Sequence, residues 1–218
     1  MSLAIFDLDH TLLRGDSDHA WGEYLAEQGA VDPVAFRADN ERYYAAYVAG
    51  TLDIHEFLEQ HQLKPLAQHD RATLDRWHAG FMREKIAPLI TQPARDLIAR
   101  HRARGDTLMI ITSTNRFIVA PIAAELGIPY LIATEPEERD GRFTGKVAGE
   151  PSYREGKVSR LREWMAVHGG SLDDSWFYSD SHNDLPLLKL VAHPIAVNPD
   201  AELERYAQTH GWRILHLE

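Results

Sequence analysis

The sequence predicts an α/β fold in which helices flank a parallel sheet and a purely helical segment follows the first strand. Short apolar runs alternate with helical stretches along most of the chain, and polar residues follow each apolar run. This alternation is typical of parallel sheets, whose strands are buried on both faces and therefore consist of consecutive apolar residues. Residues 16–86 differ, because they carry helical patterns without a strand-like run.

Four apolar runs are predicted strands, at residues 3–6, 107–111, 176–178 and 194–197. Helices are expected at residues 92–103, 116–126, 155–168 and 200–209. A short hairpin is expected at residues 142–147, directly after Asp140-Gly141. The order of these elements corresponds to a Rossmann-like parallel sheet flanked by helices.

The helical segment divides the chain into two predicted domains. Its pattern is broken at Asp32-Pro33, at residues 50–53 and at Lys64-Pro65, so we expect several helices rather than one. We predict an α/β core domain formed by residues 1–15 and 87–218, and an inserted all-helical domain formed by residues 16–86.

The composition excludes several classes of function. The 218 residues carry a formal net charge of −10 and include no cysteine. Disulfides, thiolate metal sites and cysteine nucleophiles are therefore excluded. An acidic chain is also unsuited to binding nucleic acid or an anionic membrane by long-range attraction. No early apolar run is long enough for a signal peptide or a membrane span, so we expect a cytoplasmic protein.

Asp7 and Asp9 directly follow the first predicted strand and are candidates for chemistry. Binding groups in parallel α/β sheets collect at the carboxyl ends of the strands. One carboxylate there can act as a nucleophile toward phosphorus, and a second can protonate the leaving oxygen. An isolated Asp-x-Asp pair is more often a solvated turn or a helix cap, so the pair gains meaning only from the residues that accompany it.

Further polar side chains are predicted at the same edge of the sheet. Thr112 and Ser113 end the second strand and can bind a phosphoryl group, although Thr114 competes and a helix cap is the alternative. Lys157 begins a helix and could neutralise phosphate charge, with Arg154 as a rival. Two more carboxylates follow the third strand, those of Asp180 and Asp184, and would suit a hard cation.

These motifs together resemble the four-motif pattern of the haloacid dehalogenase superfamily. The pattern consists of Asp7-x-Asp9-x-Thr11, then Thr112, then Lys157, then Asp180-x-x-x-Asp184. The resemblance covers essentially the whole chain. An aspartate at both positions of the first motif resembles the phosphatases of that superfamily, because the dehalogenase branch lacks the second one.

The resemblance implies a Mg²⁺ cofactor and a role for each matching residue. Asp7 would be the nucleophile and a metal ligand, and Asp9 would be the general acid and base with its backbone carbonyl on the metal. Asp180 would bind the metal, and Asp184 would support the metal shell. The phosphoryl group would be bound by Thr112, Ser113 and Lys157. Residues 16–86 would be a C1-type helical cap that closes over a small substrate.

Within the superfamily, the chain is most similar to the phosphoserine-phosphatase-like branch. It departs from the usual Ser-Gly-Gly and Gly-Asp-Gly-x-Asn-Asp patterns of phosphoserine phosphatases at residues 112–114 and 179–184. The segment around Asp16 and Asp18 resembles that of histidinol-phosphate phosphatases. Those two aspartates could bind a substrate amine, with an N-cap pair as the alternative, and Asn183 is a third candidate for substrate contact.

L-histidinol phosphate is therefore the expected substrate, and phosphoserine is the first alternative. Phosphoserine would need a cation for its carboxylate, and Arg37 and Arg42 are available in the insertion. Phosphoryl transfer to an acceptor other than water, as in mutases, remains open. A phospho-regulated receiver-like binding module is a more distant alternative.

Overall fold

The computed structural model describes residues 2–217. Eight strands are present in this part of the chain, namely β1 Leu3–Phe6, β2 Thr107–Asn115, β3 Tyr130–Thr134, β4 Pro136–Arg139, β5 Arg142–Val147, β6 Trp176–Ser179, β7 His193–Val197 and β8 Arg213–Leu215. Six of them form one sheet in the order β3-β2-β1-β6-β7-β8, and every pairing in it is parallel. The predicted Rossmann-like sheet is confirmed.

The first strand lies at the centre of this sheet and is buried on both faces. Leu3 and Ile5 belong to the apolar core on one face, whereas Ala4 and Phe6 belong to the core on the other. The chain runs outward from β1 to β3 and then returns to β6, on the opposite side of β1. The order of the strands therefore reverses between β1 and β6, and ligands bind at such a point in open α/β sheets.

Helices cover both faces of the sheet. The core helices are α6 Gln92–Arg104, α7 Arg116–Glu125, α8 Glu155–His168, α9 Leu185–Leu188 and α10 Ala201–His210. The four core helices that the sequence predicted lie within one residue of their expected bounds.

The strands differ more from the prediction. The sequence did not indicate β3 or β8, and β2 continues four residues beyond its expected end, to Asn115.

The insertion after β1 is helical, as predicted. Its α-helices are α1 Ser17–Glu27, α2 Pro33–Val48, α3 Ile54–Phe57, α4 Lys64–Gln68 and α5 Arg71–Phe81. Two π-helical turns, Leu58–Gln62 and Met82–Ile86, and a 3₁₀ turn at Ala87–Leu89 complete it. Aspartates cap the starts of four of these helices by accepting hydrogen bonds from backbone N–H groups, which supplies the free donors of the first turn with acceptors; they are Asp16, Asp32, Asp53 and Asp70.

The two connections between the insertion and the sheet are paired with each other. Leu13 forms an antiparallel bridge with Ile90, and the backbone N–H of Arg14 donates to the carbonyl of Leu89 at 2.9 Å. We propose residues 16–86 as the cap domain and residues 1–15 and 87–218 as the core domain. None of the helices within residues 2–217 is long and apolar enough to cross a membrane.

A hairpin is present, but residues 142–147, where it was predicted, form only its second strand β5, which pairs antiparallel with β4 Pro136–Arg139 outside the main sheet. Its turn contains Asp140 and Gly141, both with positive φ, as the tight turns of hairpins require. The hairpin contacts the insertion, since Arg71 Nη1 lies 3.1 Å from Glu138 Oε2.

A buried polar network joins the start of β2 to β6. Burial lowers the pKa of His101, so its neutral ring donates from Nδ1 to Asp106 Oδ2 and accepts at Nε2 from the Tyr178 hydroxyl, each at 2.7 Å. His101 lies in α6 and Tyr178 in β6, so the network ties a helix to the centre of the sheet.

We predict that Tyr178→Phe lowers the free energy of unfolding by about 1–3 kcal/mol, because it leaves the buried Nε2 of His101 without a donor. Urea unfolding followed by circular dichroism measures the change. Tyr206→Phe is the matched control, since the Tyr206 hydroxyl has no hydrogen-bond partner among the described residues. An equal, small effect in both variants would contradict the proposed role of the network.

Candidate active site

The strand ends bring the first and fourth sequence motifs together. Asp7 follows β1, and its backbone N–H donates to the carbonyl of Tyr178 at 2.9 Å. Asp180 follows β6, the neighbouring strand, and its Oδ1 accepts from the Thr11 hydroxyl at 3.3 Å. The two carboxylates thus lie at the carboxyl edge of the sheet, where the strand order reverses.

Lys157 lies between two of the predicted carboxylates. Its Nζ is 2.8 Å from Asp7 Oδ1 and 2.7 Å from Asp184 Oδ2, and only 3% of the residue is exposed. Ser179 donates to the same oxygen of Asp184 at 2.7 Å. The structure therefore places Lys157, rather than its rival Arg154, against the carboxylates.

This cluster carries more negative than positive charge. Burial raises the pKa of Asp7 to about 7, although Lys157 opposes the rise. The pKa of Asp180 is raised well above its usual value by burial and by the charges of Asp7 and Asp184. Burial disfavours the charged form of Lys157, but its two carboxylate partners outweigh this and raise its pKa. One ammonium group thus faces three carboxyl groups, an arrangement that favours a further cation.

Asp9 is held by groups from two other elements. Its Oδ1 accepts from the backbone N–H of Ser17 at 2.6 Å, and its Oδ2 accepts from the Thr114 hydroxyl at 2.9 Å. Burial and the nearby charge of Asp16 raise its pKa to about 6. A carboxyl group with a raised pKa can carry a proton near neutral pH and release it.

The donors to Asp9 were not identified from the sequence. Thr114 was considered only as a competitor of Thr112 for phosphate, yet it contacts Asp9, and Thr112 Oγ1 accepts from the backbone N–H of Thr114 at 3.2 Å. The available signal was the extent of β2, because Thr112 and Thr114 share one face if the strand continues to Asn115.

The oxygen donors at this edge fit a hard cation. No group of three or more His, Cys, Asp or Glu side chains within residues 2–217 is arranged to enclose a metal ion. Mg²⁺ does not require such a group, because proteins usually bind it through one or two carboxylates together with waters and substrate phosphate. The carboxylates of Asp180 and of Asp7, which also contacts Lys157, would therefore suffice as protein ligands.

A cavity of about 470 Å³ extends from these carboxylates to the insertion. Among the described residues, seven aspartates line it, but its only Lys or Arg side chains are Arg14 and Lys157. Tyrosine and aliphatic side chains of the insertion form the opposite wall. The lining aspartates are Asp7, Asp9, Asp16, Asp18, Asp180, Asp184 and Asp200, and the predicted phosphate ligands Thr112, Ser113 and Lys157 also line the cavity.

Asp16 and Asp18 differ in their surroundings. Asp16 caps α1, because its Oδ1 accepts from the backbone N–H of His19 at 2.9 Å. Asp18 lies in the first turn of the same helix, and its pKa is raised well above the usual value by burial and then by the charge of Asp16. The sequence offered capping and substrate contact as alternatives for this pair, and Asp16 serves as a cap while it also lines the cavity.

Asn183, the third candidate for substrate contact, joins the core to the insertion. Its Oδ1 accepts from Tyr153 Oη at 3.1 Å and from Arg154 Nε at 2.9 Å. Its Nδ2 donates to the backbone carbonyl of Tyr47 at 3.3 Å. Arg154 also donates to the carbonyl of Gly50 at 2.7 Å, so the role that sequence reasoning missed for Arg154 is to hold the end of α2.

Tyr47 brings a hydroxyl group from the insertion to the fourth motif. It donates to Ser181 Oγ at 2.7 Å, in the loop between Asp180 and Asp184. Burial and the charge of Asp180 raise the pKa of Tyr47 well above its usual value, so the hydroxyl stays protonated. The insertion therefore contributes directly to the walls of the carboxylate site.

The carboxylates and the buried lysine lie at the carboxyl edge of a parallel sheet, where α/β proteins bind ligands. Residues 4–189 match the family of haloacid dehalogenase-like hydrolases. A histidinol-phosphatase of Neisseria meningitidis serogroup C is 48% identical, over 100% of this chain and 99% of its own. A phosphoserine phosphatase of Mycobacterium tuberculosis is 31% identical, over 97% of this chain and 69% of its own. The chain belongs to the haloacid dehalogenase-like hydrolases, which confirms the predicted family.

Solved structures agree with this assignment. A protein of unknown function from Bordetella pertussis Tohama I superposes with a TM-score of 0.93 at 47% identity, covering 100% of this chain and 99% of the other. A substrate-bound phosphoserine phosphatase superposes with a TM-score of 0.71 at 19% identity, covering 100% and 93%, and this likeness concerns the fold alone. Membership of a hydrolase family excludes the receiver-like binding module.

We predict that Lys157→Met lowers the free energy of unfolding by about 3–5 kcal/mol in Mg²⁺-free buffer, because it leaves the buried Asp7 and Asp184 without their cation. Denaturant unfolding at neutral pH measures the change. Lys64→Met, at an exposed position of the insertion, is the control. A similar free energy of unfolding in both variants would show that the lysine does not neutralise the cluster.

Proposed function

We propose that this protein is a Mg²⁺-dependent phosphomonoesterase that acts through an aspartyl-phosphate on Asp7. The observation that supports it best is the pairing of two carboxyl groups with different surroundings in one cavity. Asp7 is bound to the Lys157 ammonium through one oxygen, and its other oxygen has no donor among the described residues, whereas both oxygens of Asp9 accept from neutral donors. Asp7 thus has an oxygen available for attack, and Asp9 is held in one orientation for proton transfer.

In the first step, an oxygen of Asp7 attacks phosphorus, and the bond from phosphorus to the ester oxygen breaks. Lys157 binds Oδ1 of Asp7, and no described residue donates a hydrogen bond to Oδ2, which is therefore the proposed attacking atom. Asp9 donates its proton to the leaving oxygen, so the alcohol departs neutral. Thr112, Ser113 and Lys157 are the proposed phosphoryl ligands.

In the second step, Asp9 takes a proton from water, and the hydroxyl oxygen bonds to phosphorus. The bond between phosphorus and Asp7 breaks, which returns the carboxylate and releases inorganic phosphate. The hydroxyl of Thr114 and the backbone N–H of Ser17 hold both oxygens of Asp9. These contacts fix the orientation of the carboxyl group that transfers a proton in both steps.

Asp7 and Asp180 are the proposed side-chain ligands of Mg²⁺, with the backbone carbonyl of Asp9, and Asp184 supports this shell. When bound, Mg²⁺ supplies positive charge that offsets the repulsion between these carboxylates and the phosphoryl oxygens. The excess of carboxylate over cationic groups in the cluster supports this assignment.

L-histidinol phosphate, an intermediate of histidine biosynthesis, is the proposed substrate. Its nitrogen groups suit a cavity lined by Asp16 and Asp18, and its imidazole suits a wall that contains Tyr43 and Tyr44. The full-length similarity to a relative named histidinol-phosphatase supports the same choice. Phosphoserine is the second candidate, because Arg14 at the cavity could bind its carboxylate. A cytoplasmic location, water as the acceptor and the absence of nucleic-acid and membrane partners complete the proposal.

We predict that Asp7→Asn abolishes turnover and that Asp9→Asn lowers kcat by about 10²–10⁴-fold, since the latter removes only proton transfer. Phosphate release measures both effects, and rapid quenching followed by mass spectrometry detects phosphorylated Asp7 in the wild-type protein. Circular dichroism of the variants controls for folding. Near-normal activity of Asp7→Asn would reject the covalent mechanism.

We predict faster phosphate release from L-histidinol phosphate than from phosphoserine, judged by kcat/KM, because acidic side chains outnumber basic ones in the cavity. Faster turnover of phosphoserine would reject the proposed substrate and leave the phosphatase proposal in place.

We also predict that removing metal with a chelator abolishes phosphate release and that added Mg²⁺ restores it. Activity only after the addition of Mg²⁺ supports the proposed cofactor.

A further inference from the structure

The two aspartates at the start of α1 have unequal freedom to bind a ligand. Asp16 already accepts a backbone hydrogen bond as the cap of the helix. Asp18 has no cationic partner among the described residues, and the neighbouring charges that act on it are those of Asp16 and Asp9, both negative. Its carboxylate lines the cavity, so a cation that reaches it comes from the ligand.

Gln62, a side chain of the insertion, lines the same cavity as Asp18. It is 4% exposed and ends the π-helical turn Leu58–Gln62. Its Oε1 accepts from the backbone N–H of Asn115 at 3.2 Å and from Asn115 Nδ2 at 3.0 Å. Because its oxygen accepts two hydrogen bonds, its amide nitrogen is the end left to donate within the cavity that Asp18 also lines.

Asn115 is itself fixed. It is fully buried, and its Oδ1 accepts from the backbone N–H of Ile118 at 3.2 Å, as the cap of α7. The start of a core helix therefore orients Gln62, whose amide nitrogen is the proposed donor to the Asp18 carboxylate. Among the described residues, Asp18 is the lining aspartate that has no cationic partner, caps no helix and has no proposed role in the reaction, since Asp16 and Asp200 are helix caps.

We propose that Asp18 is the specificity-determining residue that binds a cationic nitrogen of the substrate, and that Gln62 is its positioning residue. The inference rests on the proposed phosphatase function and deepens it. The carboxylate would pair with an ammonium or imidazolium group while the phosphoryl group lies against Asp7. Small phosphomonoesters without a cationic nitrogen lack this contact, and the cavity selects against them.

The test compares three substrates with the full-length protein and Mg²⁺. L-histidinol phosphate carries an amine and an imidazole, O-phosphoethanolamine carries an amine only, and glycerol 3-phosphate carries no cationic nitrogen. Asp18→Asn should raise KM for L-histidinol phosphate by roughly 10-fold to 100-fold, the loss expected when a charge-assisted hydrogen bond is removed. KM for glycerol 3-phosphate and kcat for both should change little. An increase for O-phosphoethanolamine as well assigns the contact to the amine, whereas an unchanged KM assigns it to the imidazole.

Gln62→Met should raise the same KM by a smaller factor, because Asp18 retains its charge but loses its orientation. Asp32→Asn is the matched control for Asp18→Asn, since Asp32 caps α2 outside the cavity.

A second readout, the thermal stability of the variants, does not depend on activity. Asp18→Asn should raise Tm by roughly 2–4 °C, because it removes a carboxylate that is desolvated beside like charges. A carboxylate with a purely structural role would instead lower Tm when replaced.

Two results would overturn the inference while the phosphatase proposal stands. One is an unchanged ratio of KM values between L-histidinol phosphate and glycerol 3-phosphate in Asp18→Asn. The other is a larger change of that ratio in Asp16→Asn than in Asp18→Asn. Absence of phosphate release from every ester by the wild-type protein would reject the proposed function itself.

Discussion

The contact of Lys157 with Asp7 and Asp184 is the constraint on which the site depends. Three ionisable groups from three separate parts of the chain meet at distances below 3 Å in a buried position. Burying such charges is costly unless they are paired and hydrogen-bonded, so each element that carries one of them is fixed by the others. The start of α8 shows how tight this is, because a Cβ atom on Gly156 would lie 2.1 Å from the carbonyl oxygen of Pro151. Only glycine allows the helix to begin where Lys157 reaches both carboxylates.

The insertion also shapes the site rather than only covering it. The insertion leaves the sheet directly after the residues that follow β1 and returns beside them, at the Leu13–Ile90 bridge. Its first helix supplies the Ser17 N–H group to Asp9, and its second supplies the Tyr47 hydroxyl to Ser181. The groups proposed for proton transfer, metal binding and substrate selection therefore have positions that depend on one another.

Sequence reasoning predicted the parts of the site that follow strands. Asp7 and Asp180 were located because an apolar run precedes each one, and strand ends gather at one edge of a parallel sheet; Thr112, expected to end its strand, lies within β2. It did not predict Tyr47 on Ser181 or Arg154 on Gly50, since those contacts depend on how the insertion packs, and it missed Thr114 on Asp9 because β2 was expected to end before Thr114. Strand β8 was missed because Arg213–Leu215 is only three residues long, whereas β3 was missed although Tyr130–Thr134 contains the apolar run Leu131-Ile132-Ala133. Residue order and periodicity do not reveal which side chains of the insertion will contact the core.

The π-helical turn that ends at Gln62 has a consequence for how the length of this protein can vary in evolution. The backbone N–H of Leu63 bonds the carbonyl of Leu58 at 2.7 Å, a ring one residue wider than an α-helical turn. Deleting one residue there would restore an α-helical turn and rotate the preceding side chains by about 100° relative to Asn115. Homologues that keep the hydrogen bonds between Asn115 and Gln62 are therefore expected to have the same number of residues between Asp53 and Gln62. Insertions and deletions are expected instead in the loops before α2 and α3.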